Sequence, residues 1–262
     1  MNHPRASAEL ASVIADQFQH EEKDWPNIFS SYSWRSNGPE QTLRMLLDIE
    51  RPCRSIFRKI HLSEPLSPYE RTELTKFAQA VFKWGGVQRS NSQAAQNSLV
   101  VEGVIRAALS WKVPCDSVPM NSGWTKVAAL ATEFVEIKGG APQVIFDSRV
   151  AASLLTRLDH VLTNIPDGAR PAPYLPQELK ALGYVPGRGG TRSKHGHRAH
   201  RLGWPNRYRR WDAQFAASTL VNEIRNYLNQ NIERYGKMPF SPYCDQRWSV
   251  RGVEMVLFMD GQ

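Results

Sequence analysis

Two residues 21 positions apart are equipped for covalent chemistry: Lys126, an amine, and Asp147, a carboxylate. A lysine held as the free amine attacks electrophilic carbon and condenses with an aldehyde to a Schiff base. A carboxylate stabilises positive charge that develops beside it. The local patterns place both groups at helix starts. Thr125 to Glu136 carries small and apolar residues at helical spacing, and Ser122-Gly123 just before it predicts a hairpin whose backbone amides point outwards. Lys126 therefore falls in a first helical turn. Asp147 occupies an N-cap position ahead of a second helical run through Ser148, Val150, Ala151, Leu154 and Leu155. Taken singly, the lysine reads as a solvated helix residue and the aspartate as an ordinary cap. Their order, after a turn and ahead of two apolar helices, is what singles them out.

That order resembles the helix-hairpin-helix DNA glycosylases, whose signature is a hairpin, a Thr-Lys or Arg-Lys helix start, and an aspartate about twenty residues later. Thr125-Lys126-Val127-Ala128 and Ile145-Phe146-Asp147 carry the match, which extends over residues 82–158. The family's hairpin reads Leu-Pro-Gly-apolar-Gly, whereas this chain has Met120-Asn121-Ser122-Gly123-Trp124. Either the hairpin takes another shape or its register shifts by one residue. The resemblance implies an all-α, two-lobed fold, with one lobe over about 67–160 and the other formed by 1–66 and 161–262.

It also implies an activity. Breaking the bond between a base and C1′ of deoxyribose develops positive charge on the sugar, which Asp147 would stabilise. Lys126, kept neutral by burial, would attack C1′ and form a Schiff base, allowing strand cleavage at the abasic site. Monofunctional relatives lack this lysine, so its presence implies a glycosylase that is also an AP lyase. Two substrate classes fit: an oxidised purine such as 8-oxoguanine, whose branch has the Thr-Lys-Val-Ala best matched here, and a hypermodified (glucosylated hydroxymethyl) cytosine of phage DNA, excised in antiviral defence. The long basic segment and altered hairpin lean towards the second. A non-catalytic DNA-binding module that uses its basic segment is the alternative.

Double-stranded DNA as partner agrees with the charge. The formal net charge is +8, and residues 187–211 alone hold Arg188, Arg192, Lys194, Arg198, Arg201, Arg207, Arg209 and Arg210 with no acid. Cations so concentrated suit a phosphate-binding arm, since each neutralised phosphate releases counterions. The competing reading is a solvated loop. Ser122, Gly123 and Trp124 are the hairpin's candidates for phosphate contact. A target base must be flipped out of the duplex and the gap filled. The stretch Gly85 to Asn91, read as a loop, offers Gln88 and Arg89 as fillers, with Gly85 or Gly86 a left-handed helix stop. Phe82, Trp84, Trp124, Trp204 and Trp211 are candidates for stacking on a base, although large aromatics at helical spacing more often build a core.

The elements that must position these groups read as helices over residues 6–20, from Pro39 to about Pro52, from Ser67 to Gly85, from about Ser92 to Trp111, and from Trp211 to Asn231. Asn27 to Asn37 and the proline-rich 166–176 read as loop and connector, 177–183 as a short helix, and the apolar 253–259 as a docked helix or strand. Cys53, Cys115 and Cys244 are too few and too scattered for a disulfide framework or an iron-sulfur site. His195, His197 and His200 lack partners at metal-ligand spacing and join the basic surface, so no cofactor or metal is expected. No long uncharged apolar run and no apolar leader core are present, which predicts a cytoplasmic monomer without membrane attachment.

Overall fold

The computed structural model describes residues 6–19, 24–115, 117–135, 141–184, 200–204, 209–241 and 245–261. In chain order its helices are α1 (Ser7–Gln19), α2 (Trp25–Ser30), α3 (Pro39–Glu50), α4 (Arg54–His61), α5 (Pro68–Gly85), α6 (Gln88–Ala95) and α7 (Ser98–Ser110). They continue with α8 (Trp124–Thr132), α9 (Ser148–Val161), α10 (Lys180–Tyr184), α11 (Trp211–Gln230), α12 (Ile232–Tyr235) and α13 (Val250–Asp260). Among the described residues the fold is all-α, its one β feature an isolated bridge between Trp34 and Asn37. No helix of these residues is long and apolar enough to cross a membrane.

Several helix ends follow from local chemistry. Ser67 caps α5 reciprocally with Glu70, Pro68 opens the helix, and Gly86 closes it with a left-handed φ of 69°. Pro52 sits in a 3₁₀ turn that separates α3 from α4. Two stretches differ from their sequence reading. Asp24 accepts from the amide of Asn27 and Pro26 follows, so α2 forms where a loop from Asn27 was expected. The single helix expected from Ser92 to Trp111 is instead α6 and α7, because the side chain of Asn97 accepts from the amide of Leu99 and starts a new helix. The apolar tail resolves as α13, capped by Ser249.

The chain divides into two compact units, residues 43–145 and residues 1–42 with 146–262. In the first, α7 packs on α8, α5 and α4, and α5 packs also on α6 and α8. In the second, α1 packs on α11 and α9, while α13 packs on α9, α2 and α11. This division differs from the expected boundaries near 67 and 160. The N-terminal boundary moves to 42 because α4 packs on α7. The C-terminal boundary moves to 145 because α9 is tied to α13. Ser153 donates to Asp260 at 2.6 Å, and Arg157 donates to the same carboxylate while its guanidinium lies 4.0 Å from the Phe18 ring centre.

Candidate functional site

Lys126 belongs to the 43–145 unit and Asp147 to the other. At the start of α8 the side chain of Asn121 accepts from the amides of Gly123, at 2.8 Å, and Trp124, at 3.2 Å. It thereby satisfies two donors that a helix start leaves open. The amide of Lys126 bonds the carbonyl of Gly123, and its Nζ curls back to the carbonyl of Ser122 at 2.8 Å. Nζ thus caps a carbonyl one turn back. The side chain is buried, 5% exposed, and its stem runs over Gly85. A Cβ at Gly85 would lie 2.7 Å from Cδ of Lys126 and 3.0 Å from Cε. A side chain there would have to displace the lysine stem.

Gly123 is confined as well, since a Cβ would meet Nδ2 of Asn91 at 2.5 Å and the Phe82 ring at 3.1 Å. This corrects two expectations for the hairpin. The amides of Gly123 and Trp124 are taken up by Asn121, so the anticipated outward donors are already engaged. Trp124 is 1% exposed and meets Phe82 edge to face at 4.9 Å, so its indole is core and presents no surface to DNA. Ser122 contributes its carbonyl, which holds the lysine.

The return segment after α8 is tied back along that helix. Thr125 donates to the carbonyl of Val144 at 3.1 Å, Thr132 accepts from the amide of Gln143 at 2.8 Å, and the Gln143 side chain reaches the carbonyl of Ala108. Val144 therefore lies beside the residue preceding Lys126, three positions before Asp147.

In the other unit Asp147 is the N-cap of α9, as its sequence position predicts. Its Oδ1 accepts from the amides of Arg149 and Val150 at 3.1 and 3.3 Å. Its surroundings are aromatic and charged. The guanidinium of Arg149 lies 4.5 Å from the Phe258 ring centre and 5.7 Å from that of Trp34. Arg251 and Glu254 form an ion pair buried in α13. Burial, then the negative charge of Glu254, pushes the Tyr32 hydroxyl far above the usual phenol range; Arg251 opposes this and Asp147 adds to it. Tyr32 therefore remains a neutral hydroxyl at any physiological pH.

Gln88 and Arg89 lie in the first turn of α6 rather than in a loop, because the helix resumes directly after the Gly86-Val87 turn. Arg188, Arg192, Lys194 and Arg198, with His195, His197 and Arg207, fall outside the described residues. Arg201 donates to the carbonyls of Ile165 and Leu162 and to Asp167, so its guanidinium organises the 162–167 turn. Trp204, half-buried, donates to Asp159 at 2.8 Å, and Trp211 is buried against Phe215, which assigns Trp211 to packing rather than base stacking. His200 pairs with Thr156. No group of three or more candidate metal ligands occurs among the described residues.

Sequence reading missed Gly85, Asn91 and Asn121 around the lysine, and Tyr32, Arg149, Arg251 and Glu254 around the aspartate. Asn121 carried a signal, an asparagine just ahead of a helix start, but the hairpin pattern absorbed it. The others are united only by tertiary packing. Neither the known protein families, nor the curated proteins, nor the solved structures contain a match to this chain.

Proposed function

We propose that the protein is a DNA glycosylase with AP lyase activity, of the two-lobed helix-hairpin-helix type. It excises a damaged or modified base from double-stranded DNA, with Lys126 as nucleophile and Asp147 as its electrostatic partner. One observation carries this reading: a buried lysine in the first turn of a helix, bedded on a glycine and held by a carbonyl. The neighbouring Thr125 pins the strand of chain that runs into an aspartate cap. Burying an amine costs free energy, which the hydrogen bond to the Ser122 carbonyl offsets in part, and a lysine so placed suits chemistry as well as packing. Three residues of extended chain, spanning at most about 11 Å, separate Val144 from Asp147.

In the reaction the amine of Lys126 forms a bond to C1′ as the bond from C1′ to the base nitrogen breaks, and the base departs with the electron pair. Asp147 stabilises the positive charge on the sugar through that step. Ring opening yields a protonated Schiff base. Loss of a C2′ proton then expels the 3′ phosphate oxygen, and water releases the lysine. The two substrate classes are an oxidised purine such as 8-oxoguanine and a hypermodified cytosine of phage DNA. Residues 187–211, with eight cations and no acid, suit the phosphate backbone.

The test is to incubate the protein with duplexes bearing each class of base, identify the released base by mass, and reduce the mixture with borohydride. A free base together with a covalent protein-DNA adduct supports the proposal. Tight, salt-sensitive binding without release or adduct leaves a non-catalytic DNA-binding protein.

A further inference from the structure

Asn91, in α6, is 3% exposed, and both ends of its carboxamide are engaged. Nδ2 donates to the carbonyl of Val87 at 3.0 Å, and Oδ1 accepts from Nδ2 of Asn121 at 3.0 Å. The other end of Asn121 holds the amides of Gly123 and Trp124. Between these residues lies Ser122, whose carbonyl holds Nζ of Lys126. An unbroken series of hydrogen bonds therefore runs from the Gly86-Val87 turn, through the buried carboxamide of Asn91 and the half-buried one of Asn121, to the turn that seats the lysine. The lack of room at Gly123 for any side chain, with Asn91 2.5 Å from where its Cβ would be, shows how closely the two turns are set against each other.

Resting on the glycosylase reading, we infer that Asn91 is a positioning residue that couples occupation of the α6 start by DNA to the placement of Lys126. Gln88 and Arg89, proposed to fill the gap left by a flipped base, are in the first turn of that helix. A shift of the 86–88 backbone moves the Val87 carbonyl, Asn91 follows it, and Asn121 transmits the change to the 121–124 turn. Neither asparagine touches the reacting atoms; both act through the backbone that holds the nucleophile. Carboxamides suit this task, because each has a donor and an acceptor end, and where one is buried, as Asn91 is, an unmade bond at either end is costly. The substrate preference that follows is for a duplex site, where a gap exists to be filled, over the same abasic site in a single strand.

The test uses the full chain and an abasic site, in duplex and in single-stranded DNA, with borohydride-trapped adduct followed under single-turnover conditions at saturating DNA. Asn91→Ala should lower the duplex rate about tenfold, with duplex affinity changed less than about twofold. Single-strand trapping should change far less. Asn91→Asp keeps an acceptor for Asn121 but sets an oxygen against the Val87 carbonyl in place of the donor, so it should reproduce the duplex defect with melting lowered at least as far as in Asn91→Ala. A duplex rate unchanged in both variants, or falling equally on both substrates in step with melting temperature, overturns the inference. If the original chain forms no adduct with any substrate, the glycosylase reading itself falls, an outcome distinct from an active chain whose Asn91 variants are equally active.

Discussion

Around Lys126 the chain is small and closed. The lysine stem lies against Gly85, Asn91 and Asn121 are joined by one hydrogen bond and spend their other ends on backbone, and every residue of α8 is buried. Around Asp147 the side chains are large and charged, with Tyr32, Arg149, Arg251, Glu254 and Phe258 in its neighbourhood. Folding accounts for the aspartate, which satisfies two amides of α9 as any good N-cap does. Folding has a smaller stake in the lysine, since a methionine would fill the same stem volume and give up the Nζ bond to the Ser122 carbonyl. The contrast teaches that the two proposed catalytic groups should separate in mutagenesis, one costing activity alone and the other costing activity and stability together.

Replacing the nucleophile should break the comparison most sharply. Lys126→Met is expected to lower adduct formation by on the order of 10⁴-fold or more, while thermal melting changes little, because loss of the Nζ bond to the Ser122 carbonyl offsets the removal of a buried amine. Asp147→Asn keeps a capping oxygen and removes the charge. Base release should then fall by about 10²–10³-fold with melting almost unchanged. Asp147→Ala should lose that activity and in addition about 1 kcal/mol of stability, read by urea unfolding. An Asp147→Asn enzyme with full activity would reduce this aspartate to a cap.

Gly85→Ala sharpens the lysine side of the contrast. Its Cβ would stand 2.7 Å from Cδ of Lys126, so the stem must shift, and adduct formation should fall about tenfold at unchanged DNA affinity. The gain of up to about 1 kcal/mol in helix propensity offsets part of the overpacking cost, which keeps the net change in melting small.

The smallest effect belongs to a cap remote from the chemistry. Ser67→Ala should cost about 1 kcal/mol in denaturant unfolding and leave adduct formation untouched. The same cap has a pH signature. The hydrogen bond from Lys59, then those from Ser67, hold the Glu70 carboxyl down to about 2 from 4.5. A depressed carboxylate stabilises the fold fully above the unfolded value, so this contribution is present above pH 4.5 and is lost as pH falls towards 2. Lys59→Met should flatten the stability curve in that window, as acid titration monitored by circular dichroism would show.

Helix content was legible wherever caps and periodicity agreed. Ser67-Pro68 with Glu70 opened α5, Gly86 closed it, and Asp147 capped α9, each by a mechanism confined to a few residues. The extra helix end at Asn97 was missed because apolar residues at helical spacing, Ala95 and Leu99, continue across it, and α2 because aromatic residues masked the Asp24 cap. Within the site, Lys126 and Asp147 were visible as residue types at a spacing. Asn91, Gly85 and Tyr32 were not, since their roles depend on helices brought together across 35 to 115 positions of chain. Trp124 was misread because a large aromatic beside a hairpin resembles a stacking surface, until packing against Phe82 assigns it to the core. The unit boundaries were misplaced for a similar reason. The buried face of α9 was evident in its spacing, but nothing local stated that α13, about one hundred residues later, would cover it.

An abasic site is common to every substrate in the proposal, so the central claim can be tested without knowing the base. The protein is incubated with duplex abasic DNA and borohydride, and the adduct is digested and mapped by mass spectrometry. The account predicts one deoxyribose-modified peptide, with the modification on Lys126, and none from Lys126→Met. Adduct on another residue, or undiminished adduct from that variant, would contradict it.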